Sequence, residues 1–132
     1  KWKAFRTARA ALAASGTVTL ELALAQVPMV TAYQVNAVEA MIARRVLRLS
    51  SVILPNIILG ENIVPEFLQE ACTAKNLSAA LVPLMRGEPA RMIQHAAFEH
   101  LEDIMRLPKG ETPSGLAAEI VLQYASSLRG GP

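Results

Sequence analysis

The sequence is poor in the residues that mark several common classes of protein. It has one cysteine, Cys72, among 132 residues, which excludes an internal disulfide and is typical of a reducing compartment. Aromatic residues make up only 5% of the chain, so the core must be built from alanine, leucine, valine and isoleucine. Charged residues make up 18%, below the usual quarter, and the formal net charge is only +2. So small a charge predicts no nucleic-acid partner.

Long uninterrupted hydrophobic runs are also absent. The longest uncharged stretch, Leu22 to Val38, is interrupted by two glutamines, a proline and an asparagine, which argues against a membrane span. The N-terminal residues contain no apolar run of the kind found in signal peptides. His95 and His100 are five residues apart, with no cysteine or aspartate to complete a ligand set. We therefore predict neither a metal nor a cofactor.

The sequence does contain one strand, turn and helix pattern that suggests a binding site. Ala10 to Ala14 predict a short strand, Ser15-Gly16-Thr17 a tight turn, and Val18 to Gln26 a helix. Free N–H groups, two hydroxyls and the positive end of the helix dipole would together form an anion site, usually for phosphate. Glu21 lies one turn into this helix, within reach of a sugar hydroxyl attached to such a phosphate.

The residues up to position 64 continue this alternation of strands and helices. Met29 to Tyr33 predict a second buried strand, which would complete a parallel, right-handed β-α-β unit. Asn36 is predicted to cap the next helix. Ser51 to Leu54 predict a third short strand, broken by Pro55 and followed by a loop that begins at Asn56 and lies near a site.

The second half is predicted to be all helix. The predicted helices are Glu66 to Glu70, about Ala74 to Met85 with Pro83 bending or ending it, Pro89 to Met105, and Pro113 to about Leu128. Residues 1–64 are therefore interpreted as the β/α part and residues 65–132 as the helical C-terminal part of one domain. The predicted fold class is α/β, a partial Rossmann-like domain with about three parallel strands and flanking helices.

Five ordered segments make the chain similar to the lipid-A-disaccharide synthase family. They are Ser15 to Glu21, Val27 to Val30, Ala43 to Arg45, Leu54 to Asn56, and Pro65 to Glu70. Their order resembles the C-terminal part of that family. The resemblance implies a glycosyltransferase with two Rossmann-like domains, which joins UDP-2,3-diacylglucosamine to 2,3-diacylglucosamine 1-phosphate without a metal and releases UDP. It also implies that this chain is about the last third of the enzyme, lacks the catalytic base and is inactive alone.

The resemblance assigns roles to seven residues. The turn would meet the UDP diphosphate, Glu21 would take the ribose hydroxyls, and three residues would line the cleft near the donor sugar: Asn56, Glu66 and Gln69. Without the resemblance, the turn could be a simple helix cap and Glu21 a surface residue. One segment departs from the family pattern, because many members have Gly-Arg-Glu where this chain has Gly60-Glu61-Asn62.

The resemblance also suggests partners and a location. Arg44, Arg45 and Arg48 could rest on anionic lipid, but three arginines on a helix more often form an ordinary solvated face, and only the lipid substrates suggest membrane contact. We predict a cytoplasmic protein, with attachment to the surface of the inner membrane as one alternative, that forms homo-oligomers through an exposed sheet edge or apolar helix faces. The alternatives are a sugar-nucleotide epimerase, a non-catalytic nucleotide-binding module, and a helical interaction domain with no ligand.

Overall fold

The computed structural model describes residues 2–14, 16–34 and 51–129. Ser15 therefore lies outside the described residues. So do the helix predicted to begin at Asn36 and the three arginines Arg44, Arg45 and Arg48.

The first elements confirm the predicted β-α-β unit. Helix α1 (Trp2–Thr7) is followed by strand β1 (Ala11–Ala13), helix α2 (Thr17–Leu24) and strand β2 (Met29–Tyr33). The two strands pair in parallel, with Ala11 opposite Met29. Local sequence patterns were sufficient here, because an apolar strand, a glycine turn and a helix follow one another with little chain between them.

The third strand, β3 (Glu66–Leu68), lies where a helix was predicted. It pairs in parallel with β2, with Glu66 opposite Thr31, so the sheet order is β1-β2-β3. The prediction of a helix from Glu66 to Glu70 is wrong, as is that of an entirely helical second half. The open side of β2 offers N–H and C=O groups, and Thr31 N–H donates to the Pro65 carbonyl at 2.9 Å. This pairing outweighs the local tendency of a proline to begin a helix.

The strand predicted at Ser51 to Leu54 does not form, and a short helix lies where a loop was predicted from Asn56. This helix, α3, spans Leu54–Leu59. Pro55 lies in its first turn, where a missing N–H costs nothing and the fixed φ of proline suits the helix. Gly60 closes the helix in the left-handed conformation, with φ of 71°. Pro55 therefore starts an element instead of breaking one.

Three longer helices confirm most of the remaining predictions. They are α4 (Ala74–Arg86), α5 (Pro89–Met105) and α6 (Pro113–Arg129), and a 3₁₀ turn (Gln69–Ala71) links β3 to them. Thr73 and Thr112 cap α4 and α6, as predicted, by accepting from the N–H groups of Asn76 and Gly115. The prediction that Pro83 could end α4 is wrong, because the helix continues to Arg86.

The main core lies between one face of the sheet and the helices α2, α3 and α5. Its buried members are Ala13, Leu22, Ala23, Val27, Met29, Ile53, Val64, Phe98 and Leu101. Helix α4 packs against β2 and against α5. As expected from the composition, the core is mainly aliphatic, with Phe98 as the aromatic side chain among the buried members that the structure describes.

A side-chain amide from α5 completes the hydrogen bonding of β2. Gln94, 2% exposed, accepts from Met29 N–H at 2.7 Å and donates to Met29 C=O at 2.9 Å. Both Met29 groups point to the side of β2 on which β3 lies, because main-chain groups two residues apart face the same neighbour and Thr31 bonds to Pro65. Gln94 thus occupies the place of a peptide group that a longer β3 would have supplied.

Two arginines tie the start of the chain to the end of α4. Arg9 Nε donates to the Met85 carbonyl at 3.1 Å, and Arg91 donates to the carbonyls of Arg9 and Leu84. The last carbonyls of a helix have no partner within it, so these bonds both cap α4 and fix the segment that leads into β1.

Candidate functional site

The parallel strands place two of the predicted site segments, the Gly16 turn and Gln69, at one edge of the sheet. β1 ends at Ala13, β2 at Tyr33 and β3 at Leu68, so the residues that follow each strand lie along the carboxyl edge. Gln34 and Gln69 meet there, with Gln34 Nε2 donating to the Gln69 carbonyl at 3.5 Å. In open α/β sheets, ligands bind beyond this edge.

The turn after β1 leads directly into the N-terminus of α2. Gly16 is the cap residue, with φ of 131° and ψ of −172°, a conformation that only glycine adopts without strain. Gly16 has no side chain, and no side-chain cap bond to α2 is made within the part of the chain that the structure describes. Gly16 and Thr17 are both exposed. This geometry suits an anion, as the sequence predicted.

Thr19 stabilises this turn from the buried side of α2. Its side chain is fully buried, and its Oγ1 donates to the Gly16 carbonyl at 2.8 Å. The Thr19 N–H donates to the same carbonyl at 3.2 Å. Because the Gly16 carbonyl is turned into the helix, it is held away from the face where an anion would approach. Thr19 was not predicted as a site residue, although a hydroxyl three residues after a glycine cap is a recognisable signal.

Glu21 lies on α2, four residues after Thr17 and therefore on the same side of the helix. Its side chain is half-buried. This position is compatible with the predicted contact to a ribose, which stays a prediction.

A second polar group of residues surrounds Glu66 at the start of β3. Ser51 Oγ and Asn56 Nδ2 both donate to Glu66 Oε1, the latter at 2.9 Å, and Val52 N–H donates to Oε2 at 3.0 Å. Hydrogen bonds to an ionised carboxylate are about twice as strong as those between neutral groups. We call Ser51, Val52, Asn56 and Glu66 the Glu66 cluster.

Asn56 is the buried member of the Glu66 cluster. It is 2% exposed, and its amide bonds to both main-chain groups of Val64, each at 2.9 Å. Its two N–H donors are therefore used within the protein, one by Val64 and one by Glu66. Asn56 joins α3 to the segment that leads into β3.

A cavity of about 250 Å³ opens beside the Glu66 cluster. Its walls are formed by Ser51, Val52, Asn62, Val64, Pro65, Glu66 and Leu68. Three of these seven side chains are polar, so the walls combine polar with apolar groups.

The cavity and the glycine turn are near each other in the sheet. Thr31 pairs with Ala13 on one side and with Glu66 on the other, so these three residues are aligned across the sheet. With strands about 4.8 Å apart, Glu66 lies about 10 Å from the end of β1. A nucleotide held at the turn could therefore extend toward the cavity.

The structure separates the two residues that were predicted to share a helix face. Glu66 begins β3, whereas Gln69 begins the 3₁₀ turn with φ of 52°. Asn56 and Glu66 were predicted to line one cleft, and the structure joins them to each other by a direct hydrogen bond. Ser51 and Val52 were not predicted as site residues, because nothing in their local sequence shows which carboxylate they meet.

Among the described residues, no group of three or more histidine, cysteine, aspartate or glutamate side chains converges to hold a metal. His95 lies on α5, where burial and the nearby Arg91 lower the pKa of its imidazole, while Glu99 acts in the opposite direction. Within the same described residues, no helix is long and apolar enough to cross a membrane.

The fold and the turn first define a class of protein. A short parallel sheet flanked by helices, with a glycine turn between a strand and a helix N-terminus, is a partial Rossmann-like α/β domain. The sequence profile described as lipid-A-disaccharide synthetase matches residues 1–120. The chain belongs to the lipid-A-disaccharide synthase family.

Individual relatives agree with this assignment. The chain is 57% identical to the lipid-A-disaccharide synthase of Nitrobacter hamburgensis over 130 residues, which cover 98% of the chain and 33% of the relative. It is 55% identical to that of Bradyrhizobium diazoefficiens, over 92% of the chain and 31% of the relative. It is 41% identical to that of Gluconobacter oxydans, over 92% and 29%. The chain thus spans about a third of the length of these curated relatives.

Proposed function

We propose that this chain is the UDP-sugar-binding part of a glycosyltransferase that makes the lipid A disaccharide. The reaction joins UDP-2,3-diacylglucosamine to 2,3-diacylglucosamine 1-phosphate and releases UDP. The observation that carries the proposal is the exposed Gly16 turn at the N-terminus of α2, in a chain of the lipid-A-disaccharide synthase family.

In this proposal, Ser15, Gly16 and Thr17 hold the diphosphate and Glu21 holds the ribose. The N–H groups of the turn and the helix dipole stabilise the negative charge that develops on the UDP leaving group. The donor sugar extends to the cavity beside the Glu66 cluster, where Glu66 is part of the wall, Asn56 supports it from behind, and Gln69 follows the lining residue Leu68. The catalytic base is supplied from outside this chain, so the chain alone binds but does not catalyse.

Titration with UDP tests the nucleotide site. We expect saturable binding that Glu21→Ala weakens at least tenfold, which corresponds to about 1.4 kcal/mol. Glu119→Ala is a matched control, because Glu119 is exposed on α6. Equal effects of the two variants would contradict the role of Glu21.

Turnover tests the reaction itself. This chain can replace the matching 130 residues of the Nitrobacter hamburgensis relative. The hybrid should release UDP only when both the sugar nucleotide and the lipid acceptor are present. UDP release without acceptor, or interconversion of the donor sugar, would instead indicate a hydrolase or an epimerase.

Self-association and a location at the cytoplasmic face of the inner membrane complete the proposal. Helix α6 supports self-association, because it exposes Ile120, Val121, Leu122 and Tyr124. Light scattering on the chain should report a dimer or larger species that Leu122→Lys weakens.

The lipid substrates of the proposed reaction support the membrane location, which co-sedimentation with anionic vesicles would test.

A further inference from the structure

We propose that Glu66 is a positioning residue, whose carboxylate holds the start of α3 against β3 and so shapes the wall of the cavity. The ligand would then meet Asn62, Leu68 and the exposed side chain of Val52, while Glu66 acts beneath them. The hydrogen bonds of the Glu66 cluster carry this inference independently of any reaction. Only its catalytic consequence rests on the proposed function.

The acceptor capacity of Glu66 is mostly used by the protein. A carboxylate offers about four acceptor positions. Ser51 Oγ and Asn56 Nδ2 occupy the two positions on Oε1, and Val52 N–H occupies one on Oε2. A carboxylate dedicated to a ligand would instead present open positions to it.

These bonds fix the start of α3 at successive residues. The Ser51 hydroxyl, which donates to Glu66, also accepts from the N–H of Ile53 at 3.2 Å. Glu66 therefore bonds directly to Ser51 and Val52. It also acts on Ile53, the residue before the first turn of α3, through the Ser51 hydroxyl. Ile53 is 1% exposed, so any shift of this segment would also disturb the core.

Asn56 closes the arrangement from the other side. It bonds to Val64, two residues before Glu66, and to Glu66 itself. The beginning of α3 and the approach to β3 are thus joined both through the main chain of Val64 and through the Glu66 carboxylate. Ser51, Val52, Val64 and Glu66 all line the cavity, so its shape depends on this connection.

The substitution E66Q tests the inference with little change in volume. The glutamine amide has one acceptor oxygen and one donor nitrogen, so in either orientation its NH₂ group faces an existing donor. The orientation that keeps the oxygen on Ser51 and Asn56 preserves two bonds, so the bond from Val52 N–H is the one expected to break. E61Q is the matched control, since Glu61 is exposed and the charge change is the same.

The first readout is amide hydrogen exchange in the 132-residue chain. We expect E66Q to speed exchange at Val52 at least tenfold, while the buried β2 residue Val30 keeps its wild-type rate. E61Q should alter neither rate. If E66Q does not fold, S51A is the substitute, because it removes the hydroxyl that bonds to Glu66 and Ile53. S51A should also speed amide exchange at Val52 and Ile53.

The second readout is kinetic, in the Nitrobacter hamburgensis hybrid. We expect E66Q to raise KM for the sugar nucleotide about tenfold and to leave inhibition by UDP alone unchanged, because UDP is held at the Gly16 turn. This split distinguishes a distorted sugar cavity from a general loss of folding, which would weaken both.

Each contrary outcome has a distinct meaning. If E66Q leaves exchange at Val52 unchanged, the positioning role is overturned. If the same variant also raises KM for the sugar nucleotide, Glu66 is a direct ligand contact. An equal loss of UDP inhibition would also overturn the inference, since Glu66 would then act at the nucleotide. If the wild-type chain and hybrid neither bind UDP nor turn over, the proposed function fails, and the exchange result still decides whether Glu66 holds the start of α3.

Discussion

Replacing Gln94 by leucine should destabilise the protein far more than replacing an exposed glutamine. The side-chain amide of Gln94 is the partner of both main-chain groups of Met29, a residue with no exposed surface. Gln94→Leu has similar volume but leaves a donor and an acceptor unpaired in the interior. Each such group costs about 1–3 kcal/mol, so the expected loss is about 2–6 kcal/mol. Total stabilities of domains are about 5–15 kcal/mol, so this is a large fraction.

Urea denaturation followed by far-UV circular dichroism measures this loss directly. Gln123→Leu on α6 is the control, because Gln123 is exposed and its replacement should change the free energy of unfolding by less than about 0.5 kcal/mol. Amide exchange at Met29 should also accelerate in Gln94→Leu. A loss below about 1 kcal/mol, with Met29 still protected, would refute the argument that Gln94 completes the edge of β2.

Gln94→Glu adds a test with a definite sign in pH. The ionised carboxylate can accept from Met29 N–H but cannot donate to Met29 C=O, and burial raises the pKa of such a group in the folded state. The protonated form restores the donor. A raised folded-state pKa makes the variant most stable below the ordinary glutamate pKa of about 4.3, and stability falls as pH rises through the folded-state value.

Three further changes test other parts of the structure. Asn56→Leu should lower the free energy of unfolding by about 2–4 kcal/mol in urea denaturation, because both main-chain groups of Val64 lose their buried partner. Thr19→Val should cost about 1 kcal/mol by the same assay and weaken UDP binding in calorimetry, since it removes one of the two hydrogen bonds that hold the Gly16 carbonyl. The lowered pKa of His95 predicts stability that is full above about pH 6.5 and declines as pH falls, and His95→Gln should reduce that decline in denaturation curves.

Matched controls separate these effects from nonspecific ones. Asn62→Leu alters an exposed asparagine, and an equal loss in that variant would contradict the role given to Asn56. Thr7→Val removes a similar bond from an exposed helical threonine to the Ala4 carbonyl, so it should leave UDP binding intact. His100→Gln changes the exposed histidine of the same helix, and an identical pH profile for both histidine variants would contradict the assignment to His95.

The sequence predicted best those elements whose causes are local. The strand, glycine turn and helix from Ala11 to Leu24 follow from adjacent residues, as do the caps at Thr73 and Thr112. β3 could not be predicted in this way. Its conformation depends on β2, and the Pro65 carbonyl bonds to a residue 34 positions earlier.

In the candidate site, too, the sequence predicted the features with local causes and missed those that depend on distant residues. The Gly16 turn was predicted because a glycine before a helix has a local meaning. The partners of Glu66 come from residues 10 to 15 positions earlier, and their spacing matches no helix or strand period. The amides of Asn56 and Gln94 bond to main-chain groups, which no pattern of side chains reveals. Such contacts become visible only when the elements are placed together.

Arg9 and Arg91, whose side chains bond to the last carbonyls of α4, also bear on the order in which the protein folds. Arg9 bonds to a carbonyl 76 residues away, and Arg91 bonds back to a residue 82 positions earlier. Closing so long a loop costs conformational entropy before any contact within it is gained. During synthesis the segment that leads into β1 therefore cannot make both of these bonds until α5 has emerged from the ribosome. β1 can pair with β2 well before then, so the strand is formed early and its tie to α4 is added late.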